Sequence, residues 1–217
     1  MNLPAPLRVP WLMSNGSTLE ITTAGIIATC ALFFTVGTFW WMNVRQGRLR
    51  SFAPHTFSAA INKERLQLRL PLVFYNTGAK PIVVTDLRIR WLGEDGTLVG
   101  VLFWHSTRSQ LKPEKPDGHE FPAVFSLEGR KAQQLFVEFW MLWDEVRVQR
   151  MDYKIQVQVK LGHKSTWAEL LEFTLHGGRI LHPENFITYS NDPEYPVHPH
   201  DLQLAEKAWK KLDERSA

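Results

Sequence analysis

From Ile21 to Val44 the chain runs 24 residues without a charged side chain, and Arg45, Arg48 and Arg50 follow at once. No other feature constrains the fold as strongly. At a rise of about 1.5 Å per residue, the core Ile21 to Met42 makes a helix roughly 33 Å long, against a hydrocarbon layer of roughly 30 Å. A cleavable signal peptide would instead show a basic start, a shorter apolar stretch and a small-x-small exit. Here the preceding flank carries one cation, Arg8, and three prolines, and the apolar run closes on Phe39, Trp40, Trp41 and Met42. Paired tryptophans suit the headgroup layer, where the ring carbons stay dry and the N–H stays wet. The segment is therefore read as a single membrane-spanning helix, with Trp40 and Trp41 as its interfacial anchors and the lipid bilayer as its first partner.

Cytoplasmic flanks retain Lys and Arg, so Arg45, Arg48 and Arg50 set the expected topology: N-terminus outside, everything beyond Arg45 in the cytoplasm. The inverted topology stays open, because long domains are translocated despite a modest charge bias. Gly25 with Thr29 and Ala24 with Ala28 place small residues four apart. These permit close approach of a second helix without specifying self-association.

Charge along the chain excludes one partner class. The whole chain carries +3; residues 1–44 cancel and residues 45–65 carry +4, leaving −1 for residues 66–217. The basicity is a juxtamembrane collar, explained by topology and anionic lipid, and nucleic acid is not an expected partner. The one cysteine, Cys30, lies inside the apolar run, so the remainder has neither disulfide nor thiol nucleophile.

Beyond a linker, segments of alternating apolar and polar residues recur: Leu66 to Tyr75, Pro81 to Trp91, Leu98 to His105, Phe121 to Leu127, Ala132 to Trp140, Tyr153 to Leu161 and Trp167 to Leu175. Turn chemistry such as Asn76-Thr77-Gly78-Ala79 and Gly93-Glu94-Asp95-Gly96 separates them. Seven half-buried strands with no intervening helix predict an all-β domain of two packed antiparallel sheets, an immunoglobulin-like β-sandwich. The expected organisation is a tail (1–20), a transmembrane helix (21–44), a basic linker (45–64), the sandwich (65–176) and a Pro/His-rich segment ending in a short amphipathic helix (177–217). That helix, Asp201 to Arg215, sets Leu202, Ala205, Ala208, Trp209 and Leu212 on one stripe and is expected to dock on the domain.

Asp152-Tyr153-Lys154-Ile155-Gln156-Val157 resembles the start of the sixth strand of immunoglobulin-like sandwiches, where a tyrosine hydroxyl folds back onto the preceding corner. The order of parts, with Leu70-Pro71-Leu72-Val73-Phe74-Tyr75-Asn76-Thr77-Gly78-Ala79-Lys80-Pro81 and Phe121-Pro122-Ala123-Val124-Phe125, resembles uncharacterised bacterial proteins that join one N-terminal membrane helix to one immunoglobulin-like domain. That resemblance implies a fold and no activity.

No catalytic residue, cofactor or complete metal site is expected. His198-Pro199-His200-Asp201, with His182 or His176 as further ligands, is the best metal candidate, and zinc requires three or four convergent ligands. No nucleophile elbow or glycine-rich phosphate loop occurs. The dense aromatic run Leu135 to Trp143 points elsewhere. Alternation puts Leu135, Val137 and Phe139 on one face and leaves Phe136 and Trp140 on the other, with Trp143 near the turn. Phe136, Trp140 and Trp143 form the candidate partner surface of a non-catalytic, membrane-anchored adaptor or scaffold. An extracytoplasmic ligand- or envelope-binding domain is the alternative, and a metal-assisted hydrolase using His198 and His200 the third.

Overall fold

The computed structural model describes residues 7–8, 20–62, 65–112, 117–142 and 148–214. The chain divides into two compact units, Met1–Gln46 and Gly47–Ala217.

In the first unit, a two-residue pair joins Leu7–Arg8 to Glu20–Ile21, and one helix of 22 residues, Thr23–Val44, is apolar enough to cross a membrane. Its main part, α1 (Thr23–Phe39), is capped by Thr22, whose hydroxyl accepts from the Gly25 N–H at 3.2 Å. Two of its threonines turn their hydroxyls back onto the helix backbone. Thr29 and Thr35 donate to the carbonyls of Gly25 and Ala31, each at 2.8 Å. The last turn widens over Trp40–Val44, with the Arg45 N–H reaching the Trp40 carbonyl at 3.0 Å.

The second unit is β-rich. Its strands are β1 (Thr56–Ile61), β2 (Arg65–Asn76), β3 (Ile82–Leu92), β4 (Leu98–Arg108), β5 (Phe125–Leu127), β6 (Ala132–Leu142), β7 (Asp152–Leu161), β8 (Trp167–His176) and β9 (Ile187–Ser190), and α2 (Pro199–Glu214) follows. All pairings are antiparallel, in the order β8-β7-β3-β4-β6-β2-β1-β9, with β5 beside β3. Leu49–Arg50 adds to the end of β2 and His119–Glu120 to the end of β4.

This pairing corrects the expectation of two separate sheets. β4 pairs with β3 on one side and with β6 on the other, so the ladder continues where a sandwich would have a gap. The outcome is one curled sheet, a half-barrel, whose two halves close on a common core. Leu68, Leu70 and Leu72 from β2 share that core with Leu87, Ile89 and Trp91 from β3 and with Ile155 and Val157 from β7. β-Bulges sharpen the curl, because an extra residue increases the local twist. One leaves His105 unpaired between Trp104, opposite Phe139, and Ser106, opposite Glu138.

Two further differences have local causes. Thr56–Ile61, read as linker, is a strand with its last five residues buried, so period-two alternation is absent from its sequence. Phe121 to Leu127 shortens to β5 because Pro122 cannot donate to a ladder. The tyrosine corner is present: the Tyr153 hydroxyl accepts from the Gln149 N–H at 2.7 Å and donates to the Gln149 carbonyl at 3.1 Å, with the ring edge-on to Trp91. Helix α2 begins at Pro199, suited to a first turn, and docks through Ala205, Trp209 and Leu212. The Trp209 indole N–H donates to the Ile180 carbonyl at 2.9 Å, while Leu202 stays exposed.

Candidate functional site

Along β2 the leucines at 68 and 70 point into the core, which directs Arg69 between them to the outer face of the sheet. A lateral row of polar residues runs there across five strands. Thr188, Ser58, Arg69, Glu138 and Ser106 are successive register partners from β9 through β1, β2 and β6 to β4. An outer face ordinarily leaves charge in water, yet Arg69 is 2% and Glu138 1% exposed. The chain following β4, together with Phe186 just before β9, explains this. Arg69 Nη1 donates to the carbonyls of Gln110 and Leu111 at 2.8 and 3.3 Å, its Nη2 pairs with Asp117 at 3.0 Å, and the Phe186 ring lies over the guanidinium.

Glu138 is compensated in turn by Arg69 Nε and Nη2 at 3.1 and 2.8 Å and by Arg108 Nη2 at 3.1 Å. Burial pushes its carboxyl pKa up, but the hydrogen bonds and charge of Arg69, with Arg108, outweigh that and hold it below the usual value. The carboxylate is ionised and fully engaged. It is a covered structural lock and not an open acid–base group.

Beside the lock lies an open aromatic strip. Trp140, two residues on from Glu138, is half-buried and pairs in register with Gln67 and with Phe103, which is 57% exposed. The bulge aims His105 at the Trp140 ring, edge to face at 4.7 Å. His119 stands 6.0 Å from His105 and 5.1 Å from the exposed Phe121 ring. Burial lowers the His105 pKa, as do Arg108, His119 and Arg65, against the opposing pull of Glu138. The imidazole is therefore neutral at neutral pH. The strip borders a polar margin in which Arg88 stacks on Trp167 at 4.2 Å and bonds Gln158 at 2.8 Å.

Phe136 and Trp140 both occupy the outer face, Phe136 half-buried opposite Pro71 and Arg108. Trp143 lies outside the described residues. Trp40 and Trp41 are exposed at the end of the apolar helix, and Arg45 stacks over the Trp41 ring at 3.9 Å. Arg48 and Arg50 belong to the β-rich unit: Arg48 bonds Thr77 through its backbone, and Arg50 pairs with Tyr75. His198 Nδ1 accepts from the His200 N–H at 3.2 Å, and among the described residues no group of three His, Cys, Asp or Glu could hold a metal.

Sequence reasoning missed His105 and the ionic lock. Leu-Arg-Leu and Val-Glu-Phe read as solvent-facing alternation, and nothing local announces the segment that covers them. For His105 the only available signal was one polar residue between Trp104 and Ser106.

No family model and no curated protein matches the chain. Among solved structures it is similar to a protein from Archaeoglobus fulgidus at 13% identity and a TM-score of 0.33, over 58% of this chain and 96% of that one. It is similar to a family 123 glycoside hydrolase from Clostridium perfringens at 9% and 0.32, over 60% of this chain and 27% of the hydrolase. It is also similar to an alkylpurine DNA glycosylase from Pseudomonas fluorescens at 14% and 0.27, over 67% of this chain and 36% of the glycosylase. The chain therefore spans only about a quarter to a third of these two enzymes.

Proposed function

We propose that this protein is a membrane-anchored, non-catalytic binding module that presents the outer face of its β-domain to a protein partner. The observation that carries the reading is the exposed Phe103 beside the half-buried Trp140, outside the core and next to the buried Arg69–Glu138 ion pair. Aromatic anchors ringed by polar side chains are the residues that dominate binding energy at protein interfaces. Thr23–Val44 is the single-pass anchor in this reading, with the tail outside and the β-domain in the cytoplasm. The immunoglobulin-like kinship of the domain belongs to the same proposal, supported by the Tyr153 corner and by the pairing of Trp91 with Ile155.

The test is cross-linking capture from membranes with the full-length protein and its Trp140→Ala variant. A partner captured by the parent and lost by the variant supports the proposal. Equal capture by both would remove the strip from the reading. A compartment-dependent reporter fused after Ala217 tests the orientation, and activity only on the outer side would favour the extracytoplasmic alternative.

A further inference from the structure

At the opposite end of β6 from Trp140, three chain segments are locked together. The buried Asn76 side chain donates to the carbonyls of Lys80, Leu127 and Glu128 at 2.8, 3.3 and 3.2 Å and accepts from the Gly78 N–H at 2.9 Å. Its backbone N–H reaches the Lys131 carbonyl at 3.0 Å, and the Arg130 N–H reaches Gly78 at 2.9 Å. Thr77 and Arg48 exchange three further bonds, the Thr77 N–H and hydroxyl to the Arg48 carbonyl and the Arg48 N–H to the Thr77 hydroxyl. Packing is so close that a Cβ at Gly47 would strike Gly78, and one at Gly129 would strike the Ala79 carbonyl.

This rigid end concentrates positive charge. Its segments carry Arg48, Arg50, Lys80, Arg130 and Lys131, all exposed, against Glu128 as their one acid. Residues 47–217 as a whole carry +2 and these segments alone carry +4, so the excess is local. Arg130 holds φ at 57°, the left-handed region that glycine or asparagine occupies more cheaply. Arg48 follows Val44, the last residue of the apolar helix, by four positions.

We propose that this end of the β-domain docks on anionic phospholipid headgroups. The inference rests on the reading of Thr23–Val44 as a membrane anchor and is independent of the aromatic strip, since Trp140 lies eight residues along β6 from Ala132, roughly 26 Å away. Basic groups held at an anionic surface each favour association by a factor of about five, and the attraction fades over a Debye length of about 10 Å at 0.1 M salt. Several such groups on one fixed frame act together, without the ordering cost that separate loops would incur.

The described core side chains all lie between Leu49 and Leu212, so the fragment Gly47–Ala217 retains its own core and can be tested alone. It should float with vesicles of phosphatidylcholine and phosphatidylglycerol, not with phosphatidylcholine alone, and be released by salt. Lys80→Ala with Lys131→Ala should weaken partitioning about 25-fold. Arg130→Gly should weaken it about fivefold without lowering the melting temperature, because glycine adopts that φ freely. Trp140→Ala should leave it unchanged. Equal flotation with both vesicle types, retention of binding in the basic-residue variants, or binding to nucleic acid in place of vesicles would each overturn the proposal.

Discussion

Arg69 and Glu138 face one another on adjacent strands, joined by two hydrogen bonds of 2.8 and 3.1 Å, and neither reaches solvent although both lie on the outer side of the sheet. Desolvation of both ions is already incurred, so losing either partner leaves the other buried with one counter-ion, Arg69 with Asp117 or Glu138 with Arg108. Glu138→Ala should cost about 3 to 5 kcal/mol, and joint replacement by Arg69→Met and Glu138→Leu less than that. Urea midpoints for the three proteins measure the difference. Because the folded Glu138 pKa is lowered, its stabilisation is full above the unfolded value of about 4.3 and is lost as pH falls through that value toward the folded one. Acid unfolding of the joint variant should therefore be shallower than that of the parent.

The Tyr153 hydroxyl holds the corner at Gln149 through both a donated and an accepted bond. Tyr153→Phe keeps the ring on Trp91 and removes only that clamp, so it should cost about 1 to 3 kcal/mol in denaturant unfolding. An unchanged midpoint would mean that the corner is not set by this residue.

Trp140 and Trp209 separate surface from core. Trp209 is 3% exposed and bonded to Ile180, so Trp209→Ala should cost about 3 to 5 kcal/mol and free α2. Trp140→Ala, on the half-open outer face, should cost no more than about 2 kcal/mol. Thermal unfolding of the two variants compares them directly, and equal losses would argue that the strip is ordinary packing.

Tyr189 predicts an alkaline limit. Burial pushes its phenol up to about 12, although the His182 backbone N–H, which donates to the phenol oxygen at 3.3 Å, pulls the other way. A raised folded pKa means that the stabilisation is complete below the unfolded value of about 10 and disappears as pH climbs toward 12. Phenolate absorbance followed with unfolding should show Tyr189 ionising late, and Tyr189→Phe should flatten stability across that interval.

Much of the sheet is legible because its strands are half-buried: Tyr153, Ile155, Val157 and Val159 alternate with polar neighbours and all four face the core. The Leu135, Val137, Phe139 face against the Phe136, Trp140 face follows from the same period. Thr56–Ile61 is not legible, since burial on both sides removes alternation, and neither is β9, whose four residues are too few to show a period. The continuous ladder through β4 depends on strand partners, which single-strand periodicity does not encode. The ionic lock is hidden for another reason. Arg69 is sealed by carbonyls some 41 and 42 positions away, a tertiary contact with no local trace.

The Ser58 hydroxyl meets that of Thr188, 130 positions later in the chain, where β9 closes the free side of β1. Synthesis runs from the N-terminus, so β1 emerges soon after the apolar helix and then waits for almost the whole remaining chain before its outer edge is paired. Long-range pairings of this kind make folding slow and leave strand edges exposed to neighbouring chains in the interval. Ribosomal release that stops short of Ile187 would leave that edge permanently open, so nascent chains cut there are the ones expected to aggregate.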